Sequence, residues 1–478
     1  MRHALCPESG QIDGKTLPQD ARFRLQCAHL LAVDLVATTS ALWRLHPLGV
    51  KIHGLLRVRP VGRVPGTPMS DNHRCPVSDW ATDFDIFDPE YSSDPGPVWN
   101  DLQVRCPMAH TERGGGLWMS TRYADARALA VMTRELSNRQ VSIAPMEENA
   151  DLLGDHLSEI MPPITNDPPT HAPLRRLILP FFTPKAVEQH RAETEALCNR
   201  LIDGFLERGQ CDAAADYAQQ ITPRVIGDML GIDTSRSDEF VGWVRGYIEL
   251  GYGDIELRRR SRREMMQFFG EMVKLRRTNP GDDYISQLLA KEVEGKLLTD
   301  QQVINFCLLL LIAGIDTTWS SLGSSLLHFA THADHQRRVV AEPELWPTAI
   351  EELLRFYAPV SVGRIAMEDV DFNGTKMNRG DRLMINYPAA NRDGRAFERA
   401  DEVVLDRKQN RHFAFGVGVH RCAGSNLARM EMDVALRTWF ARIPEFELRE
   451  NEPVTWAPGQ VRGARAVPVK WDNTTTSS

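Results

Sequence analysis

The chain has 478 residues, 42% of them hydrophobic and 25% charged, values that suit a folded globular protein and exclude a disordered, collagen-like or disulfide-scaffold chain. Its formal charge of -8 is modest and gives no general affinity for nucleic acid or an anionic membrane. The eight cysteines (Cys6, Cys27, Cys75, Cys106, Cys198, Cys211, Cys307 and Cys422) form no CxxC pair and no zinc-spaced cluster, which fits reduced thiols in the cytoplasm.

Residues 1–68 hold nine Lys/Arg against four Asp/Glu, opposite in balance to the remainder. Their weak apolar patch, "HLLAVDLVATTSALW", is interrupted by Asp34 and has no secretion-type flanks. The Pro/Gly-rich stretch "RPVGRVPGTPMSDNHRCP" then marks a boundary. We expect 1–68 to be an extension, disordered or the product of a start chosen before Met69, and 69–478 to be one domain. Within 69–478, "TPKAVEQHRAETEALCNRLIDGFLERG" predicts a helix opened by Thr183 and Pro184 and closed by Gly209. Helical periodicity also runs through "TDQQVINFCLLLLIAGIDTTWSSLGSSLLHFATH" and "SNLARMEMDVALRTWFARI". The longest strongly apolar run, Cys307–Ile315, is far shorter than the roughly 20 residues that span a bilayer. In "DVDFNGTKMNRGDRLMINY", Asn373-Gly374 and Arg379-Gly380-Asp381 predict turns between short strands. The expected fold is mainly α with small β-sheets.

The stretch "FAFGVGVHRCAG", Phe413–Gly424, wraps one thiol in glycines just before a helix. Gly416, Gly418 and Gly424 offer positive φ and close backbone approach, and Phe415 can cover an apolar face. Amide groups at the helix start favour the thiolate, hence a metal ligand or a nucleophile; a buried structural cysteine in a Gly-rich turn is the plain alternative. Three further patterns admit both readings. In "AGIDTT", Ala313–Thr318, polar Asp316 and Thr317 interrupt an apolar helix. In "EELLR", Glu352 and Arg355 share a helix face. In "DPPTHAPLRR", His171 and Arg175 lie one turn apart.

Together these motifs resemble the cytochrome P-450 family: "FGVGVHRCAG" fits its haem-binding loop, F-G-x-G-x-H-x-C-x-G, at every fixed position, and the matches cover most of 69–478. The resemblance implies a single multihelical domain with haem b between the long central helix and the cysteine loop, iron being bound by Cys422. It implies an acid–alcohol proton relay at Asp316 and Thr317, beside Ala313 and Gly314 where the helix ladder loosens. Haem contacts are implied for His171, Arg175, Arg364, Phe415, Gly416, His420 and Gly424, with His412 a weaker candidate. Glu352, Arg355 and Arg407, the last in "VVLDRKQNRHFAFG", would support the cysteine loop. Leu310, Val360, Val362, Gln460, Val461 and parts of 140–164 and 240–255 would line the substrate pocket.

The implied function is insertion of one oxygen atom from dioxygen into a small apolar or aromatic molecule. Electrons would come from a separate ferredoxin and ferredoxin reductase; Arg411, Arg421 and Arg429, clustered in sequence around the cysteine loop, are either a docking face for an acidic ferredoxin or simply solvated. A peroxide-driven peroxygenase and a non-catalytic haem-thiolate binding protein are the alternatives.

Overall fold

The computed structural model describes residues 76–143 and 161–472. The expectations for 1–68 and for most of 140–164 therefore lie outside the described residues.

The helices that frame the site are, in chain order, α1 (His171–Ile178), α2 (Arg191–Asp203), α3 (Gln219–Leu230), α4 (Ser237–Ile248), α5 (Ile255–Thr278), α6 (Asp300–Thr331), α7 (Trp346–Phe356) and α8 (Ser425–Arg442). The long stretch expected from Thr183 to Gly209 is divided. Thr183 caps a short helix, Pro184–Glu188, α2 follows, and a tight turn ends at Gly209 with φ 64°.

Helix α6 is the axle of the fold. Thr299 opens it with a reciprocal cap: its Oγ1 accepts from Gln302 N at 3.2 Å while Gln302 Oε1 accepts from Thr299 N at 3.0 Å. From Val303 to Phe329 most of its side chains are buried, and α3, α4, α5 and α8 pack around it. Each fully buried Leu or Phe contributes about 1.5–3 kcal/mol, so the burial all round α6 holds these layers together. Among the described residues it is the one helix long and apolar enough to cross a bilayer, and 78% of its most apolar window is buried in the protein. That burial is what a core helix requires.

Beside the helices lies a five-stranded sheet built from β1 (Met108–Thr111), β2 (Leu117–Ser120), β3 (Leu136–Ser137), β4 (Val362–Ala366) and β7 (Arg382–Ile385), in the order β1-β2-β7-β4-β3. Strand β7 runs parallel to β2 and antiparallel to β4. Between β4 and β7 sits the expected hairpin, β5 (Val370–Phe372) and β6 (Thr375–Met377), turning at Asn373 (φ 52°) and Gly374 (φ 85°). Both residues are left-handed, as a tight two-residue turn demands.

Candidate active site

The cysteine loop is anchored by a buried ionic knot. Glu352 and Arg355 are both 0% exposed, on one face of α7. Arg355 donates to Glu352 through Nη2 at 2.7 Å and Nε at 2.8 Å, and to the carbonyls of Asn391, Ala400 and Glu402. Glu352 also accepts from Arg407 Nε at 2.9 Å, Val404 N at 2.8 Å and Asn410 Nδ2 at 3.1 Å. The three residues expected to support the loop thus fix the backbone from 391 to 410, and Asn391 Oδ1 then receives Phe413 N at 2.6 Å.

Within the loop, Gly416 (φ 64°) and Gly418 (φ 77°) carry the expected left-handed turns. Gly424 does not: its φ is -82° and it serves as the N-cap of α8. Its side-chain-free face lines a cavity instead. Cys422 is surrounded by protein, yet its sulfur is open because its accessible surface faces that cavity. Burial pushes its thiol pKa up, against lowering by the Gly424 N–H and by Arg175, Arg421 and Arg429. The helix start alone therefore does not make a thiolate here, and a metal cation at the sulfur would supply what the amides do not.

The cavity encloses ≈ 1430 Å³ of space between α6 and the loop, part of it open to solvent. Leu309, Leu310, Ala313, Gly314, Thr317, Thr318 and Ser321 of α6 line it, positions that recur about every four residues and form one broad helix face. Ala313 is exposed in mid-helix only because it borders this space. Gly314 admits a neighbour closely: a Cβ there would stand 2.9 Å from Ile226 Cδ1. The helix is continuous through it, so its role is close packing of α3 rather than the expected loosening of the ladder.

One edge of the cavity is rich in hydrogen-bond donors. The rings of His171 and His420 meet at 4.3 Å, tilted by 55°, and the Nε2 of each is buried with no partner among the described residues. Burial lowers both pKa values and keeps the rings neutral. Arg364, 2% exposed, donates to Gly363 O at 2.7 Å, and Arg175 donates to Arg421 O. Arg175, Arg364 and His420 line the cavity, as do Phe415, Gly416, Val360 and Val362; His171, expected there, is not on its wall but stands against His420. A thiol on one wall, an apolar wall of α6 and donors suited to two carboxylates at an edge fit haem, which Cys422 would ligate and these donors would hold by its propionates.

Several expected site residues lie elsewhere. Asp316 is 1% exposed and absent from the cavity wall, on which the next two residues, Thr317 and Thr318, both lie. It instead accepts from Arg465 Nη2 at 2.6 Å, and Arg465 in turn donates to Glu249 at 3.0 Å, which also holds Arg245 at 2.9 Å. Burial raises the Asp316 pKa, with Glu249 adding to it, against the pull of the arginines. Thr317 does line the cavity, its Oγ1 donating to Ala313 O at 2.8 Å. Gln460 and Val461 stand behind the wall: Gln460 accepts from Ile143 N and Tyr252 OH and donates to Val141 O, while Val461 bridges Val360. His412 is bonded to Glu351 at 3.1 Å, away from the cavity, and the same carboxylate holds Arg429 at 2.5 Å. Arg429 is therefore committed to an ion pair, whereas Arg411 and Arg421 have none among the described residues.

Sequence reasoning missed Asn138, Tyr387 and Glu431, all on the cavity wall. Glu431 of α8 is 1% exposed, its Oε1 has no partner among the described residues, and burial pushes its pKa up to about 8. Its place nine residues after Cys422, in the second turn of α8, was the available signal.

A model of the family described as Cytochrome P450 matches residues 254–455. The chain is 34% identical over 364 residues to "Probable cytochrome P450 127A1" of Sinorhizobium fredii, covering 76% of this chain and 85% of that protein. It is 31% identical over 382 residues to the mycinamicin IV hydroxylase/epoxidase of Micromonospora griseorubida, covering 78% and 94%. Among solved structures it matches P450BioI in complex with hexadec-9Z-enoic acid ligated acyl carrier protein, with a TM-score of 0.72, 26% identity and coverage of 80% of this chain and all of that one. Motifs, architecture and relatives agree, and the chain belongs to the cytochrome P450 family, monooxygenases that use dioxygen, an organic substrate and haem b ligated by a cysteine thiolate.

Proposed function

We propose that Cys422 is the haem ligand of a cytoplasmic monooxygenase whose substrate is a small apolar or aromatic molecule and whose electrons come from a separate ferredoxin and its reductase. The observation that carries this is the Cys422 sulfur opening into a cavity whose other walls are Leu310, Ala313, Gly314, Val360 and Val362. When bound, haem supplies the activation of dioxygen and the transfer of one oxygen atom. The chain supplies the rest. His171, Arg175, Arg364 and His420 orient the cofactor, the apolar wall excludes water and selects apolar substrates, and Thr317 Oγ1 holds a proton at the cavity surface. Asp316 acts from behind α6, tying it through Arg465 to the C-terminal strand Ala464–Ala466 and through Glu249 to the end of α4. One relative is seen with a fatty-acyl carrier protein, and delivery of substrate by a carrier is a route this reading includes.

The test is turnover with a surrogate ferredoxin and reductase under isotopically labelled dioxygen, across a panel of terpenes, steroids, aromatics and fatty acids. One labelled oxygen atom per product, dependent on electron supply, supports the proposal. Product formed only with added peroxide identifies a peroxygenase, and spectral binding without oxygen use identifies a binding protein.

A further inference from the structure

The first turns of α5, Ile255–Arg263, hold five arginines, one glutamate and no lysine, in a chain of net charge -8. Arg260 and Arg263, three apart on one face, are exposed, and neither has a carboxylate partner among the described residues. Arg259 is exposed and bonded to Glu256 at 2.8 Å, and Glu264 is the other acid on this face. Two apolar side chains, Leu250 and Ile255, each 40% exposed, flank the start of the helix. The patch is thus a small apolar centre with an arginine rim, and planar guanidinium forks bind carboxylates in pairs where ammonium groups do not.

Its position says what a partner there could do. Arg258 turns inward, over the Tyr247 ring at 5.2 Å, and reaches Ser142 Oγ at 3.5 Å. Ser142 adjoins Val141, a cavity-lining residue. Tyr252, two residues before the helix cap, joins the same corner through Gln460, which holds Val141 O at 3.0 Å. The patch therefore abuts the cavity wall of residues 138–141, not the cysteine loop, so a protein seated on it is placed to deliver substrate.

We infer that Leu250, Ile255, Arg259, Arg260 and Arg263 form the docking surface for a small acidic carrier protein that presents a tethered, apolar acyl substrate to the cavity. The inference rests on the monooxygenase reading above and names the partner of that same site. An anionic membrane is the rival occupant; the patch offers it only two exposed apolar side chains, Leu250 and Ile255, little to bury in a bilayer.

The experiment uses the full-length haem-loaded protein and a fluorescently labelled acidic acyl carrier protein bearing a palmitoyl thioester, with Arg260→Glu/Arg263→Glu as the variant. The wild type is expected to bind the carrier at low salt, and the double reversal to weaken binding by about tenfold or more and flatten its salt dependence. Free palmitate binding and the reduced, carbon-monoxide-bound spectrum should be the same in both proteins, which shows that the variant folds. No carrier binding, equal binding by wild type and variant, or variant-sensitive binding to phosphatidylglycerol vesicles in place of the carrier would overturn the inference. A failure of the monooxygenase reading would show separately, as no electron-dependent incorporation of labelled oxygen by the wild type.

Discussion

Removing the carboxylate of Glu352 should detach the cysteine loop from the body of the protein. The side chain is 0% exposed and accepts five hydrogen bonds, from Arg355 (two), Arg407, Val404 N and Asn410. Glu352→Ala leaves the Arg355 guanidinium at 0% exposure and that of Arg407 at 9% without their anion. Deleting one partner of a buried pair costs about 3–5 kcal/mol, because the uncompensated charge remains in the interior. For the 380 described residues, with an unfolding entropy of about 2.1 cal/mol/K per residue, that lowers Tm by about 5 °C. The segment 391–410 leads directly into the loop, so haem retention should fall with stability. Thermal unfolding by circular dichroism, run beside haem absorbance on gel-filtered protein, measures both. Glu352→Gln, which keeps the shape and loses the charge, should lie between. A Glu352→Ala protein melting within a degree of wild type, with full haem content, would refute the knot's structural role.

Burial raises the Glu431 pKa to about 8, from 4.5 for the free side chain. Its contribution to stability is thus fully present below about pH 4.5 and is lost as pH rises through about 8, by roughly 3–5 kcal/mol in all. Glu431→Gln should flatten that decline in urea unfolding measured from pH 5 to 8, and parallel pH profiles would contradict a buried neutral acid. Thr317→Ala should fold, bind haem and bind substrate, but release several-fold more peroxide per electron consumed; unchanged coupling removes its hydroxyl from the mechanism. Because Arg429 is held by Glu351, electron-donor docking should depend on Arg411 and Arg421: changing both to Glu should slow reduction by ferredoxin several-fold and weaken its salt dependence, whereas Arg429→Gln should act mainly on stability. A reduction rate independent of salt would count against electrostatic docking.

What could be read from the sequence was whatever depends on short-range spacing. The cysteine loop, the Glu352/Arg355 pair and the Asn373-Gly374 turn each need only a few neighbouring residues, and each has the expected geometry. Arg407 also followed from motif order. Facing was harder to read. Asp316 and Thr317 were paired by the resemblance of "AGIDTT" to the family's acid–alcohol motif, but motif order does not say which way each side chain faces: the cavity face of α6 holds 309, 310, 313, 314, 317, 318 and 321, and not 316. Gln460 and Val461 were assigned to the pocket by resemblance, but their orientation depends on contacts with Val141, Ile143 and Val360, far away in sequence. Glu431 looked like one more polar residue of an amphipathic helix, and only the packing of α8 under α6 reveals it as a buried acid. The break after Glu188 in the stretch that opens at Thr183 carries no proline or glycine to announce it.

The central claim is that Cys422 is the thiolate ligand of haem, and the most direct measurement is the absorption spectrum of the reduced, carbon-monoxide-bound protein. The wild type should show the long-wavelength band of thiolate-ligated haem. Cys422→Ser should retain its helical circular dichroism and lose that band completely. Persistence of the band in Cys422→Ser would contradict the account, since none of the other described cysteines, Cys106, Cys198, Cys211 and Cys307, lines the cavity.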